Sequence, residues 1–182
     1  MKTTLKVFAL SVALFGISNI SFGQNTATET ASSSVTIIKP ITIDKARDLQ
    51  FGSIVSSSTE DIVVTATAVE STVVTTTGAT TGNPLAITSA TRTSAQFDIE
   101  GDPDATFSID LDDTVDMAGD GDAITVTLTK NLLNAGNVLE DGVAVLYVGG
   151  SFTIPAGQVA GVYTGTFDVT VVTGQRVFPR LA

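Results

Sequence analysis

The closing stretch of the chain, Gly161-Val162-Tyr163-Thr164-Gly165-Thr166-Phe167-Asp168-Val169-Thr170-Val171, alternates without a break. Tyr163, Gly165, Phe167, Val169 and Val171 fall on one side of a pleat, and Thr164, Thr166, Asp168 and Thr170 fall on the other. A period of two residues makes a strand with one dry and one wet face, the habit of antiparallel sheets. Shorter β-prone runs lie at 35–43, 49–55, 62–69, 73–77, 85–89, 95–99, 106–111, 123–129, 143–148 and 151–154, and the closing run covers 162–172. Pro40 marks an edge or bulge in the first of them, and residues 77–84 (TGATTGNP) are turn punctuation. Residues 131–140 (NLLNAGNVLE) hold enough Asn and Gly to read as a loop rather than a helical turn. No segment beyond residue 23 sustains a helical period. Roughly eight to ten short strands between turn signals predict an all-β, two-sheet antiparallel sandwich of immunoglobulin-like type, with a β-barrel as the alternative.

What the chain lacks narrows its chemistry. It has no Cys and no His, which excludes disulfides, thiolate nucleophiles, imidazole bases and His-ligated metal sites. At the N-terminus Lys2 and Lys6 precede an apolar run at 7–17, and Ser21 and Gly23 sit three and one residues before a cleavage point ahead of Gln24. That order predicts a cleaved signal helix at 1–23; eleven apolar residues are too few to span a bilayer. Cleavage removes two of the nine basic residues and none of the 19 acidic ones, so the net charge moves from −10 to −12. Such an anion is repelled by nucleic acid and by anionic lipid. The expected order is signal peptide 1–23, flexible extension 24–34, β-sandwich 35–173 and C-terminal tail 174–182, with Arg176 and Arg180 in a solvated tail.

Three stretches carry a family resemblance. They are Leu49-Gln50-Phe51-Gly52-Ser53-Ile54-Val55, then residues 97–109 (FDIEGDPDATFSI), then Val148-Gly149-Gly150 through Pro155-Ala156-Gly157-Gln158 to the closing strand. In order and spacing the chain resembles domain-of-unknown-function family 4402, a set of secreted bacterial β proteins. More loosely it is similar to spore-coat-U-like and archaic chaperone–usher pilus subunits, which makes the expected sandwich pilin-like. The residues themselves read as scaffold: Gly52 suits a bulge or close backbone approach, and Gly101-Asp102-Pro103-Asp104 suits a turn with positive φ at the glycine. The looser resemblance implies an incomplete sandwich, completed by an N-terminal extension of the next subunit. Residues 24–34 stand where such an extension would be, yet Ala27, Glu29, Ala31 and Ser33 are too small or too polar to fill a deep groove. Val35 and Ile37 would fill it better, although they also suit the domain's own first strand.

Ten acidic residues crowd into 98–122, with no Lys or Arg among them. Like charges so dense face water or gather round a cation. Asp110, Asp112, Asp113, Asp116, Asp120 and Asp122 are the candidate Ca²⁺ ligands, since Ca²⁺ takes six to eight oxygens; the spacing is not that of an EF-hand. No other cofactor is expected. Paired carboxylates can hydrolyse glycosides without His, but the chain offers no Trp and only Tyr147 and Tyr163 as a sugar platform. The expectation is a non-enzymatic, secreted structural or adhesive protein at the cell surface, of fimbrial type, that assembles by β-strand addition with itself or with pilus-type partner subunits. The alternative is a stand-alone secreted or periplasmic binding module with an acidic, Ca²⁺-binding loop.

Overall fold

The computed structural model describes residues 26–71, 73–77 and 91–174. The signal segment, the run at 85–89 and the tail with Arg176 and Arg180 lie outside the described residues. The chain divides into two units, Met1–Thr36 and Ile37–Ala182. In the first, residues 26–36 are exposed and form no strand. The second holds ten strands: β1 Thr42–Arg47, β2 Ile62–Ala66, β3 Val74–Thr77, β4 Ala95–Glu100, β5 Thr106–Leu111, β6 Thr114–Met117, β7 Ile124–Lys130, β8 Asn137–Val138, β9 Val143–Ile154 and β10 Val169–Thr173. Among the described residues the fold is all-β, and every strand pairing is antiparallel.

Alternation produces the core. In β7, Ile124, Val126 and Leu128 are buried while Thr125, Thr127 and Thr129 are exposed, and β2 buries Ile62, Val64 and Ala66 in the same way. From β5, Phe107, Ile109 and Leu111 join these residues in one apolar cluster. Each large side chain withdrawn from water contributes roughly 1.5–3 kcal/mol, which makes this cluster the main source of stability. The smaller sheet has the order β10-β5-β8, and the larger runs β1-β4-β9-β2-β3 with β7 and β6 branching from β9. The result is a two-sheet sandwich.

β9 is the hinge of this architecture. The runs at 143–148 and 151–154, separate by pattern, are one strand of 12 residues. Val148 pairs with both Ala95 and Lys130, and Ser151 with both Thr65 and Thr127. A residue with two partners has them on opposite edges, so β4 and then β2 follow each other along one edge of β9 while β7 takes the other. Gly149 sits at the changeover. A Cβ there would overlap the Ala66 carbonyl oxygen and come within 2.8 Å of the Ala68 nitrogen, so the backbones can meet only at glycine.

Several expected strands are shorter or differently placed. The first begins at Thr42 instead of 35, because Pro40 has no N–H to continue the ladder with β4. Residues 49–55 form no strand beyond one bridge, Gln50 to Thr93. The closing run is ladder only from Val169, in a strand that ends at Thr173 and pairs with β5. The acidic stretch holds β6, which was not expected, and the loop at 131–140 contains β8 and the fully buried Leu139. At the 101–104 turn the positive φ belongs to Asp104 (59°), while Gly101 packs against Leu139, whose Cδ1 would lie 2.7 Å from an added Cβ and would have to shift.

Candidate functional site

Two irregular segments lie over one end of the sandwich and leave a groove between them. The first wall is 49–56. Gln50 exchanges two backbone hydrogen bonds with Thr93 (2.8 and 3.0 Å), and Gly52 then turns the chain at φ +82°, a value that favours glycine. Leu49, Phe51 and Ile54 point inward and are half-buried, the Phe51 ring standing edge-on to Phe152 with centroids 4.8 Å apart. From Phe51 to Ser56 no backbone group has a hydrogen-bond partner among the described residues.

The second wall is 158–167, which runs on into β10. Tyr163 anchors it: its hydroxyl accepts from the Gly121 N–H (3.1 Å) and from Gln158 Nε2 (2.8 Å), and donates to the Val159 carbonyl (2.8 Å). Gln158 Nε2 also donates to the Asp122 carbonyl at 2.7 Å, tying the wall to the β6–β7 turn. Thr164 exchanges two backbone bonds with Ala118, both 2.9 Å. The expected alternation holds here without the expected ladder. Tyr163 and Phe167 are half-buried and Thr164, Thr166 and Asp168 exposed, yet the backbones of Gly165, Thr166 and Phe167 are unpaired among the described residues. Val159 and Val162 are 53% and 80% exposed.

The floor is the inner face of the larger sheet: Val115 and Met117 of β6, Ile124 and Val126 of β7, Phe152 and Ile154 of β9. The cavity measures about 860 Å³, and none of its lining residues carries a charge. The Gly157 N–H donates to the Ser57 carbonyl (2.8 Å), which joins the two walls at one end. Buried or semi-buried backbone is almost always paired in proteins. Two unpaired extended walls over an apolar floor therefore have the chemistry to take an extended chain, with main-chain bonds from the walls and pockets for alternate side chains.

The six candidate Ca²⁺ ligands do not converge. Asp110 is exposed on β5, and Asp112 and Asp113 lie in the connection to β6. Asp116 lies on β6 and accepts a hydrogen bond from Thr125 Oγ1 at 2.5 Å. Asp120 and Asp122 occupy the β6–β7 turn. The four residues of β6 alone hold the two ends roughly 13 Å apart at 3.3 Å per residue, against metal–oxygen distances of about 2.4 Å. Among the described residues no three acidic side chains form a group that could hold a metal ion. Instead Asp112 Oδ2 accepts from the Asp168 N–H (3.1 Å), and Glu100 pairs with Lys39 (2.8 Å). Of the two tyrosines, Tyr163 lines the groove and Tyr147 lies under the Arg47 guanidinium, 5.7 Å from its centroid.

Residues 41–172 match the family described as Domain of unknown function (DUF4402). The chain belongs to this family. Both walls and the floor of the groove lie inside the DUF4402 span, whereas residues 26–40 precede it. No curated protein and no solved structure matches the chain. Among the described residues no helix is long and apolar enough to cross a membrane. The groove itself was not read from the sequence, where its residues count as scaffold. The available signal was the pair of motifs at 49–55 and 158–167, each apolar enough for a core and each followed by a turn residue.

Proposed function

We propose that this DUF4402 protein is a non-enzymatic structural or adhesive protein, exported by its N-terminal signal to the cell surface, where it assembles by accepting a β-strand. One observation carries the reading: a charge-free groove of about 860 Å³ whose two walls have no backbone hydrogen-bond partner at 51–56 and 165–167 among the described residues. A small apolar ligand would use the floor alone and make no use of the backbone N–H and C=O groups along the walls. An added strand satisfies both. The lack of His and Cys and the dispersal of the carboxylates fit a function in surfaces and edges.

Amide hydrogen exchange on the exported protein, compared between dilute monomer and concentrated assembly, tests this. The amides of 51–56 and 165–167 are expected to exchange rapidly in the monomer and to become at least about a hundredfold slower in the assembly. Assembly that leaves both walls unprotected would sink strand acceptance.

A further inference from the structure

We propose that the outward face of the larger sheet, on the side away from the groove, adsorbs to crystalline water. This goes beyond strand acceptance and uses none of the groove's side chains. Cross-strand register sets Thr75, Thr65, Ser151, Thr127 and Thr114 in one row, each opposite the next, across β3, β2, β9, β7 and β6. Two residues further along these strands, Thr77, Val63 and Thr153 form a second row, and Thr125 faces Asp116 beside them. Both rows point away from the core: Thr65 and Ser151 are half-buried and the others exposed, while the intervening Val64, Phe152 and Val126 are buried.

The hydroxyls of this face are not spent on the fold. Elsewhere Thr67, Thr93, Ser94 and Ser108 each donate to a backbone carbonyl. In the two rows Thr125 bonds Asp116, and the hydroxyls of Thr75, Thr65, Ser151, Thr127 and Thr114 have no partner among the described residues. Asp116 is also the one charge in the two rows, although the chain carries 19 acidic residues.

Size and chemistry choose the occupant. A stable protein partner needs aromatic or Arg anchors and roughly 800 Å² on each side, whereas the two rows span about 19 Å by 7 Å and hold no anchor. A sugar chain would lack a ring to stack on, and an ionic mineral would need rows of charge. Ice is neutral, rigid and periodic. Strands about 4.8 Å apart, with same-face side chains about 6.8 Å apart along each, come close to the two repeats of the prism face of hexagonal ice. Thr is stiff at χ1, so hydroxyl and methyl are in place before contact and little freedom is lost on adsorption. Sheet twist of roughly 20–25° per strand confines the match to the strands beside β9, which makes Thr65, Ser151 and Thr127 the centre of the contact.

Ice recrystallisation in frozen sucrose solution tests this, with uptake of the labelled, exported chain into a growing ice crystal scored alongside. The chain is expected to slow coarsening and to enter the ice, whereas serum albumin stays in the liquid. Thr127→Lys puts a charge at the centre of the contact and should raise the concentration needed by at least about tenfold. Thr153→Lys serves as its second version, with a thermal melt on each to confirm folding. Thr170→Lys adds the same charge on an exposed position of β10, in the smaller sheet, and should behave like the parent. A parent no better than albumin overturns the proposal, and so does an equal loss in Thr127→Lys and Thr170→Lys. Should the parent ignore ice but bind insoluble cellulose, and lose that binding with Thr127→Lys, the face is a glycan surface and the assignment to ice falls.

Discussion

The β9 crossing and the groove are built from the same kind of sequence and end in opposite states. At β9 every position from Val143 to Val148 pairs with β4, and positions 150–154 pair with β2, while β7 takes the other edge across 148–151. A few residues later the chain keeps its alternation through Tyr163 and Phe167 but, among the described residues, finds no backbone partner from Gly165 to Phe167. Alternation specifies an extended chain with one dry side; it does not supply a neighbour. The groove is the place where the dry side has a floor and the backbone has no partner among the described residues.

The sharpest way to break this contrast is at its closed end. Gly149→Val forces a side chain into the Ala66 carbonyl and separates β9 from β2, with an expected loss of about 4 kcal/mol or more. Denaturant unfolding of the purified protein would show it as a collapsed midpoint. Phe107→Ala, in the closed core where Phe107 is 2% exposed, should cost about 3–4 kcal/mol by the same measurement. Tyr163→Phe removes a hydroxyl that makes three hydrogen bonds, for about 1–2 kcal/mol, and should speed exchange at the Gly121 amide. Val115→Ala, on the half-buried groove floor, should cost only about 1 kcal/mol, because little surrounding structure loses contact there. A Val115→Ala loss equal to that of Phe107→Ala would show the floor to be as closed as the core. Smallest of all, Lys39→Ala breaks an exposed ion pair with Glu100, and the midpoint should move by less than about 0.5 kcal/mol.

Strand lengths show how far local pattern reaches. Residues 106–111 carry their strand at the boundaries the pattern predicts, because Phe107, Ile109 and Leu111 alternate and a turn precedes them. The segment at 49–55 is as apolar, and Gly52 at φ +82° interrupts it; among the described residues it has no ladder partner beyond the Gln50–Thr93 bridge. In the acidic stretch the aspartates obscured β6, whose Val115 and Met117 already show the same period of two. The six aspartates looked like a cluster in one dimension; placing β6 among them spreads them along a strand and its two connections.

The sequence by itself determined that the domain is built of short extended runs, which residues of most runs face inward, and that the chain carries no thiol or imidazole chemistry. These are local matters, decided by side-chain period and residue type. Tertiary structure alone decided which extended segments receive partners: that β9 serves β4 and β2 in succession, that the ladder starts at Thr42, and that among the described residues two apolar walls border one groove without a strand between them. Hydrogen-bond pairing in a sheet joins residues far apart in the chain, so no single stretch of sequence contains the information about whether its edge is filled.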